Sequence, residues 1–114
     1  MRQEYNKLVR DRIPEILHKS GIECQTVTLS EIEYQQALRN KLIEEAQEAA
    51  TANKADLVIE IADLLEVVDA LLRSYKISYQ KVRLEQDKKR AIKGDFDNKI
   101  MLLWTEDKEV KSIK

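Results

Sequence analysis

Lys41 to Glu66, KLIEEAQEAATANKADLVIEIADLLE, is the stretch whose reading decides the fold. A short acidic pattern occurs in it twice, as Glu45-x-x-Glu48 and as Glu60-x-x-Asp63. Both copies lie among strong helix formers, with apolar residues at helical spacing. Residues three apart are neighbours on a helix surface, so each pair sets two carboxylates on one side of its helix. Between the pairs comes Thr51-Ala52-Asn53-Lys54-Ala55-Asp56, where Asn53 can cap a new helix and Asp56 suits its first turn. A reversal there makes an antiparallel helix hairpin. Position 54 is the midpoint of Glu48 and Glu60 and also of Glu45 and Asp63, so the four carboxylates are expected level across the two arms. Three residues of helix rise roughly 4.5 Å, which lets all four reach a shared cation cluster.

Four acids converging with no basic residue between them repel, and burial pushes their pKa values up. A hard divalent cation relieves both. Mg²⁺, with Mn²⁺ as the alternative, prefers oxygen ligands, and Mg²⁺ keeps places for water or phosphate. Glu45, Glu48, Glu60 and Asp63 are the expected metal ligands; the competing reading is four solvated side chains, the ordinary fate of Glu and Asp.

Outward from the hairpin, Ser30 and Glu33 form a capping box that starts a helix running to about Ala50. The second arm is expected from Lys54 or Ala55 to Tyr75. Leu57, Val58, Ile59, Ile61, Ala62, Leu64, Leu65, Val67, Val68, Leu71 and Leu72 make it apolar on nearly every side, interrupted by Glu60, Asp63, Glu66 and Asp69. Such a helix is expected to be buried all round. One short chain has few helices to cover it, so a homodimer or homotetramer is expected, with Val68 and Leu72 in its core. A third long helix starts near Ser78 and fades in the Lys-rich stretch before Gly94. A short one carries Pro14 in its first turn and ends near Gly21. Residues 22–29 alternate and are β-branched, which predicts a strand; residues 98–104, NKIMLLW, read as a second short strand and a candidate partner. The charged tail 105–114 is expected to fray.

The chain has 114 residues, the size of one domain spanning 1–114. With two Gly and one Pro it has too few turn formers for an all-β fold, so the fold class is all-α, an antiparallel helical bundle. A net charge of −1 gives no field to recruit a nucleic acid polymer or an anionic membrane. No apolar run is long enough for a membrane span and the N-terminus is polar, so no membrane association is expected and the cytoplasm is the expected location. A single cysteine, Cys24, excludes an internal disulfide; it is expected as buried filler. A single histidine, His18, excludes a zinc site built from several imidazoles. Neither glycine sits in a loop of the phosphate-cradling type.

The acidic residues also carry a resemblance. Glu44-Glu45-x-x-Glu48 followed by Glu60-x-x-Asp63 resembles the metal-binding signature of the MazG-like, all-α nucleoside triphosphate pyrophosphohydrolases. Tyr5-Asn6-Lys7-Leu8-Val9-Arg10-Asp11-Arg12-Ile13-Pro14 is similar to the opening of that superfamily's phosphoribosyl-ATP pyrophosphohydrolase-like branch. Gly94-Asp95-Phe96-Asp97-Asn98-Lys99-Ile100 resembles the branch's Gly-x-Phe-x-x-Lys-Ile segment, although many relatives have Arg-Gly or Gly-Gly before the Phe. The resemblance implies a homo-oligomeric helical bundle that hydrolyses a nucleoside triphosphate to monophosphate and pyrophosphate with Mg²⁺. It implies catalytic roles at Glu45, a ligand, and at Glu44, which lies about 100° round the helix and is either a water-orienting base or a support for the ligands. A triphosphate needs cations for the phosphates a metal leaves uncovered, and Lys7, Arg10, Arg12, Lys41, Lys89 and Arg90 are the candidates. Alternatives are phosphoribosyl-ATP as the substrate, or a non-catalytic helical module that senses a nucleotide.

Overall fold

Local signals set the helix boundaries. In the computed structural model, which describes residues 1–109, the chain forms α1 (Ile13–Lys19), α2 (Glu31–Thr51), α3 (Leu57–Ser74) and α4 (Tyr79–Lys93). The Ser30 hydroxyl accepts from the Glu33 amide at 3.2 Å, and the Glu33 carboxylate accepts from the Ser30 amide at 3.1 Å. These backbone and side-chain bonds hold the Glu33 carboxyl below its usual range. Ser78 caps α4 in the same way, accepting from the Lys81 amide at 3.1 Å. Asn53 caps the turn rather than the helix: its side chain accepts from the Asp56 amide at 2.9 Å, and α3 begins one residue later. At the end of α4, Gly94 takes φ +82° and ψ −174°, a conformation open essentially to glycine alone, while its amide donates to the Arg90 carbonyl.

The chain is all-α. Helices α2 and α3 pack against one another as the expected antiparallel hairpin. Its inward stripe on α2 runs through Tyr34, Leu38, Leu42, Glu45 and Ala49, and on α3 through Glu60, Asp63, Leu64, Val67 and Leu71. Leu38, at 2% exposure, and Val67, at 8%, are the buried centre. Polar contacts tie the open end: the Ser74 hydroxyl donates to Glu31, Gln35 donates to the Ser74 carbonyl, and the Arg39 guanidinium lies over the Tyr75 ring at 5.2 Å.

Three expectations are corrected. Residues 22–29 and 98–104 form no strand, and there is none among the described residues. An alternating pattern shows only that a segment suits a half-buried pleated surface, and these two segments, exposed apart from half-buried Leu29, do not pair with each other. Second, α3 is not buried all round: Leu57, Val58, Ile59, Ile61 and Leu65 are exposed because α2 covers one side alone, and Val68 and Leu72 are half-buried. Third, Cys24 is exposed, in the extended segment after α1. The last five residues of the tail expected to fray lie outside the described residues; 105–109 carry no helix or strand.

With so small a centre, each buried side chain matters. Leu38→Ala is expected to cost about 2–4 kcal/mol in urea unfolding, the range for a leucine truncated in a core. A loss below about 1 kcal/mol would show that the hairpin centre relaxes around the gap.

Candidate metal centre

Glu45 sits in the same inward row as Leu38 and Leu42, and Glu60 and Asp63 sit in the row of Leu64 and Val67. The hairpin register therefore places acids where core residues belong. One carboxylate oxygen from each of Glu45, Glu60 and Asp63 lies within 4.8 Å of the others, and all three residues are half-buried. Glu48 is exposed and outside this group, so the four-carboxylate rectangle closes on three corners. At about 100° per residue Glu48 is roughly 60° off the inward direction of Glu45, which turns it toward solvent. Its charge is still felt at Glu60.

Cations border the acids, Lys41 from within the hairpin as expected and Lys7 and Arg10 from the N-terminal segment. Lys7 Nζ donates to Glu44 at 3.1 Å, and Arg10 Nη2 donates to Asp63 at 2.8 Å with Glu66 at 3.9 Å from Nη1. Lys41 lies 3.6 Å from both Glu44 and Glu45. The extended N-terminal segment thus lies along the acidic side of the hairpin. Of the other expected substrate contacts, Arg12 takes the N-cap position of α1, with its side chain exposed. Lys89 and Arg90 lie on α4, where Arg90 pairs with Asp87 at 3.7 Å. The structure pairs Lys7, Arg10 and Lys41 with the acids of the site, and Arg12, Lys89 and Arg90 make no ion pair with them. Glu66, absent from the expected set, joins through Arg10.

The electrostatics are uneven. The hydrogen bond from Lys7 holds the Glu44 carboxyl below its usual range despite partial burial, with Lys41 assisting. The same bond raises Lys7. Glu60 is pushed up, first by loss of hydration and then by the charges of Glu48, Asp63 and Glu45. Six carboxylates (Glu44, Glu45, Glu48, Glu60, Asp63 and Glu66) meet four cations, Lys7, Arg10, Lys41 and, at Glu66, Arg73, so negative charge remains in excess. The donor set is all oxygen. On an octahedral Mg²⁺ adjacent ligand oxygens stand about 3.0 Å apart and opposite ones about 4.2 Å, and only one of three pairs can be opposite, so three oxygens within 4.8 Å must close by up to about 1.8 Å. Such a group could hold a metal ion.

No protein-family model matches the chain, and no solved structure matches it. An uncharacterized protein of Mycolicibacterium smegmatis (strain ATCC 700084 / mc(2)155) is 46% identical over 54 residues. That match covers 47% of this chain and 55% of that protein, so the chain spans about half the length of the curated relative it matches.

Glu60 and Asp63 should behave oppositely in metal-free protein. A carboxyl whose pKa is raised by folding disfavours the fold when ionised; that penalty is complete above the raised value and vanishes as pH falls below the ordinary one. Glu60→Gln is therefore expected to melt at or above wild type near neutral pH in EDTA, with the difference lost at acid pH. Asp63→Asn loses the Arg10 contact and is expected to melt no higher than wild type. Thermal melts across pH check both, and a Glu60→Gln protein melting lower at neutral pH contradicts the repulsion.

Proposed function

We propose that this chain is a Mg²⁺-dependent nucleoside triphosphate pyrophosphohydrolase acting as a homodimer or homotetramer. The observation that carries the reading is the convergence of Glu45, Glu60 and Asp63 at inward hairpin positions, rimmed by Lys7, Arg10 and Lys41. A purely structural hairpin places apolar residues there. An all-oxygen site with excess negative charge takes a hard cation, and basic side chains at its rim suit a polyanion.

In this reading Glu45, Glu60 and Asp63 hold the cation, and Glu48 supports them from the edge. Bound Mg²⁺ supplies charge neutralisation on phosphate oxygens and a more acidic water. Glu44 lies beside the site with its carboxyl held ionised by Lys7, the state required to orient a water or accept its proton. Lys7 and Arg10, on an exposed segment, exchange their carboxylate partners for phosphate oxygens when a triphosphate enters. Water oxygen bonds to the α-phosphorus, the α–β bridging bond breaks, and pyrophosphate leaves with the bridging oxygen. Arg12, Lys89 and Arg90 are secondary phosphate contacts. No helix among the described residues is long and apolar enough to cross a membrane.

Phosphorus NMR of the products decides the reaction: monophosphate with pyrophosphate is expected, whereas a nucleoside diphosphate with orthophosphate contradicts it. Tight nucleotide binding without turnover favours the sensing module, and turnover confined to phosphoribosyl-ATP favours that substrate. Glu45→Gln is expected to lower kcat/KM by about 100-fold or more, since metal stabilisation of the transition state is worth several kcal/mol. Arg10→Ala is expected to lower kcat/KM by about 10–100-fold, the worth of one charge-assisted hydrogen bond, while melting changes little.

A further inference from the structure

The hairpin leaves a second face of α3 uncovered. At about 100° per residue, Leu57, Val58, Ile61 and Leu65 fall in one arc of about 100°, centred roughly 130° from the side that meets α2. Their exposures are 42%, 79%, 40% and 51%. The C-terminal arm, α4 with the segment to Trp104, has no cover either: every residue from Tyr79 to Trp104 is exposed. Phe96 is 96% exposed, and the run Ile100-Met101-Leu102-Leu103-Trp104 lies between 55% and 83%. An isolated helix as short as α4, at 15 residues, is marginal in water.

The areas show how much cover is missing. A compact protein of 13.3 kDa exposes about 6,500 Å². This chain exposes 11185 Å², an excess of about 4,700 Å². Each partner of an obligate dimer gives up about 1,000–2,500 Å². The radius of gyration, 19.4 Å, is likewise well above the roughly 13 Å of a compact domain of this length. Charge is segregated in the same sense. On α4, Lys81, Arg83, Lys88, Lys89, Arg90 and Lys93 outweigh Glu85 and Asp87; on α3, Glu60, Asp63, Glu66 and Asp69 outweigh Arg73.

We propose that the C-terminal arm of one copy, residues 79–104, lies along the Leu57–Val58–Ile61–Leu65 face of a second copy, and reciprocally, in an arm-exchanged dimer. The occupant is a second copy because the missing area exceeds what one short peptide covers and the basic arm complements the acidic helix. Reciprocal use of the same two surfaces closes a two-fold pair without leaving either exposed. The inference gives a surface to the homo-oligomer in the functional reading above and rests on that part alone, not on the chemistry.

The test uses the full chain. Equal amounts of ¹⁴N- and ¹⁵N-labelled protein are mixed in denaturant, refolded, sized by light scattering and treated with a lysine-reactive cross-linker. Twice the 13.3 kDa chain mass or a multiple is expected. Peptide pairs joining Lys93 or Lys99 to Lys54 should carry one light and one heavy partner at the statistical frequency. A monomer overturns both the oligomer and the exchange. An oligomer whose arm-to-hairpin pairs are isotopically pure, or whose mixed pairs join only arm to arm, overturns the exchange and leaves the oligomer standing. Leu103→Asp, at a position with no cover within its own chain, should shift the mass toward monomer with helical circular dichroism retained. An unchanged mass contradicts the proposal.

Discussion

Repulsion among Glu45, Glu60 and Asp63, whose oxygens lie within 4.8 Å of one another, is the constraint on which the rest of this structure depends. A two-helix core centred on Leu38 and Val67 has little apolar burial with which to offset ionised acids in its own inward rows. Compensation comes from three places. Lys41 lies one turn before Glu45, while Lys7 and Arg10 arrive from 37 and 53 residues away in sequence. These contacts bring an N-terminal segment without helix or strand onto the hairpin. Its course is set by charge more than by apolar packing, since Tyr5 and Val9 stay exposed and Leu8 is only half-buried.

The hairpin was legible because its signals are local. Ser30 with Glu33, Ser78, Gly21 and Gly94 each act within a few residues of themselves, and α1, α2 and α4 begin or end where they stand. The register was legible through one arithmetic relation, the shared midpoint at position 54, and it brought Glu45, Glu60 and Asp63 together. The relation says nothing about how far each side chain is rotated from the inward direction, which is where Glu48 departed. Strand pairing at 22–29 and 98–104 was illegible for a different reason: alternation is local, whereas a partner strand is a tertiary fact. The same holds for Arg10 and Asp63, for which no spacing rule links residues 53 apart.

Helix α3 has two kinds of surface, and they solve different problems. The side toward α2 carries Glu60 and Asp63 among Leu64, Val67 and Leu71, so it joins a charged site to the most extensive contact between helices among the described residues. The other side, Leu57 to Leu65, carries no acid within its arc, so it can be covered without desolvating a charge. That separation lets one helix serve a polar site and an apolar contact together. Apolar residues on nearly every side did not mean burial on every side within one chain, because α2 covers one side alone.

The unequal acids bear on how a cation would be held. Glu44 has its charge met by Lys7 and Lys41, and Asp63 has its charge met by Arg10. Glu60 feels the charges of four other acids, Glu48, Asp63, Glu45 and Asp56, its carboxylate makes no hydrogen bond or ion pair, and it is the one pushed up. A divalent ion therefore gains most at Glu60, because neutralising the least compensated acid relieves the most repulsion. On the reading proposed above, ion binding and deprotonation of Glu60 are linked: affinity falls as pH drops through the raised value, because the proton and the ion compete for one carboxylate. Arg10 then acts in the same direction as the ion. By neutralising Asp63 it lowers the repulsion that Glu60 feels, and it gives up part of that role when a second source of positive charge arrives. An exposed ion pair contributes little to stability, so the exchange costs the fold little and leaves the guanidinium free for an incoming anion.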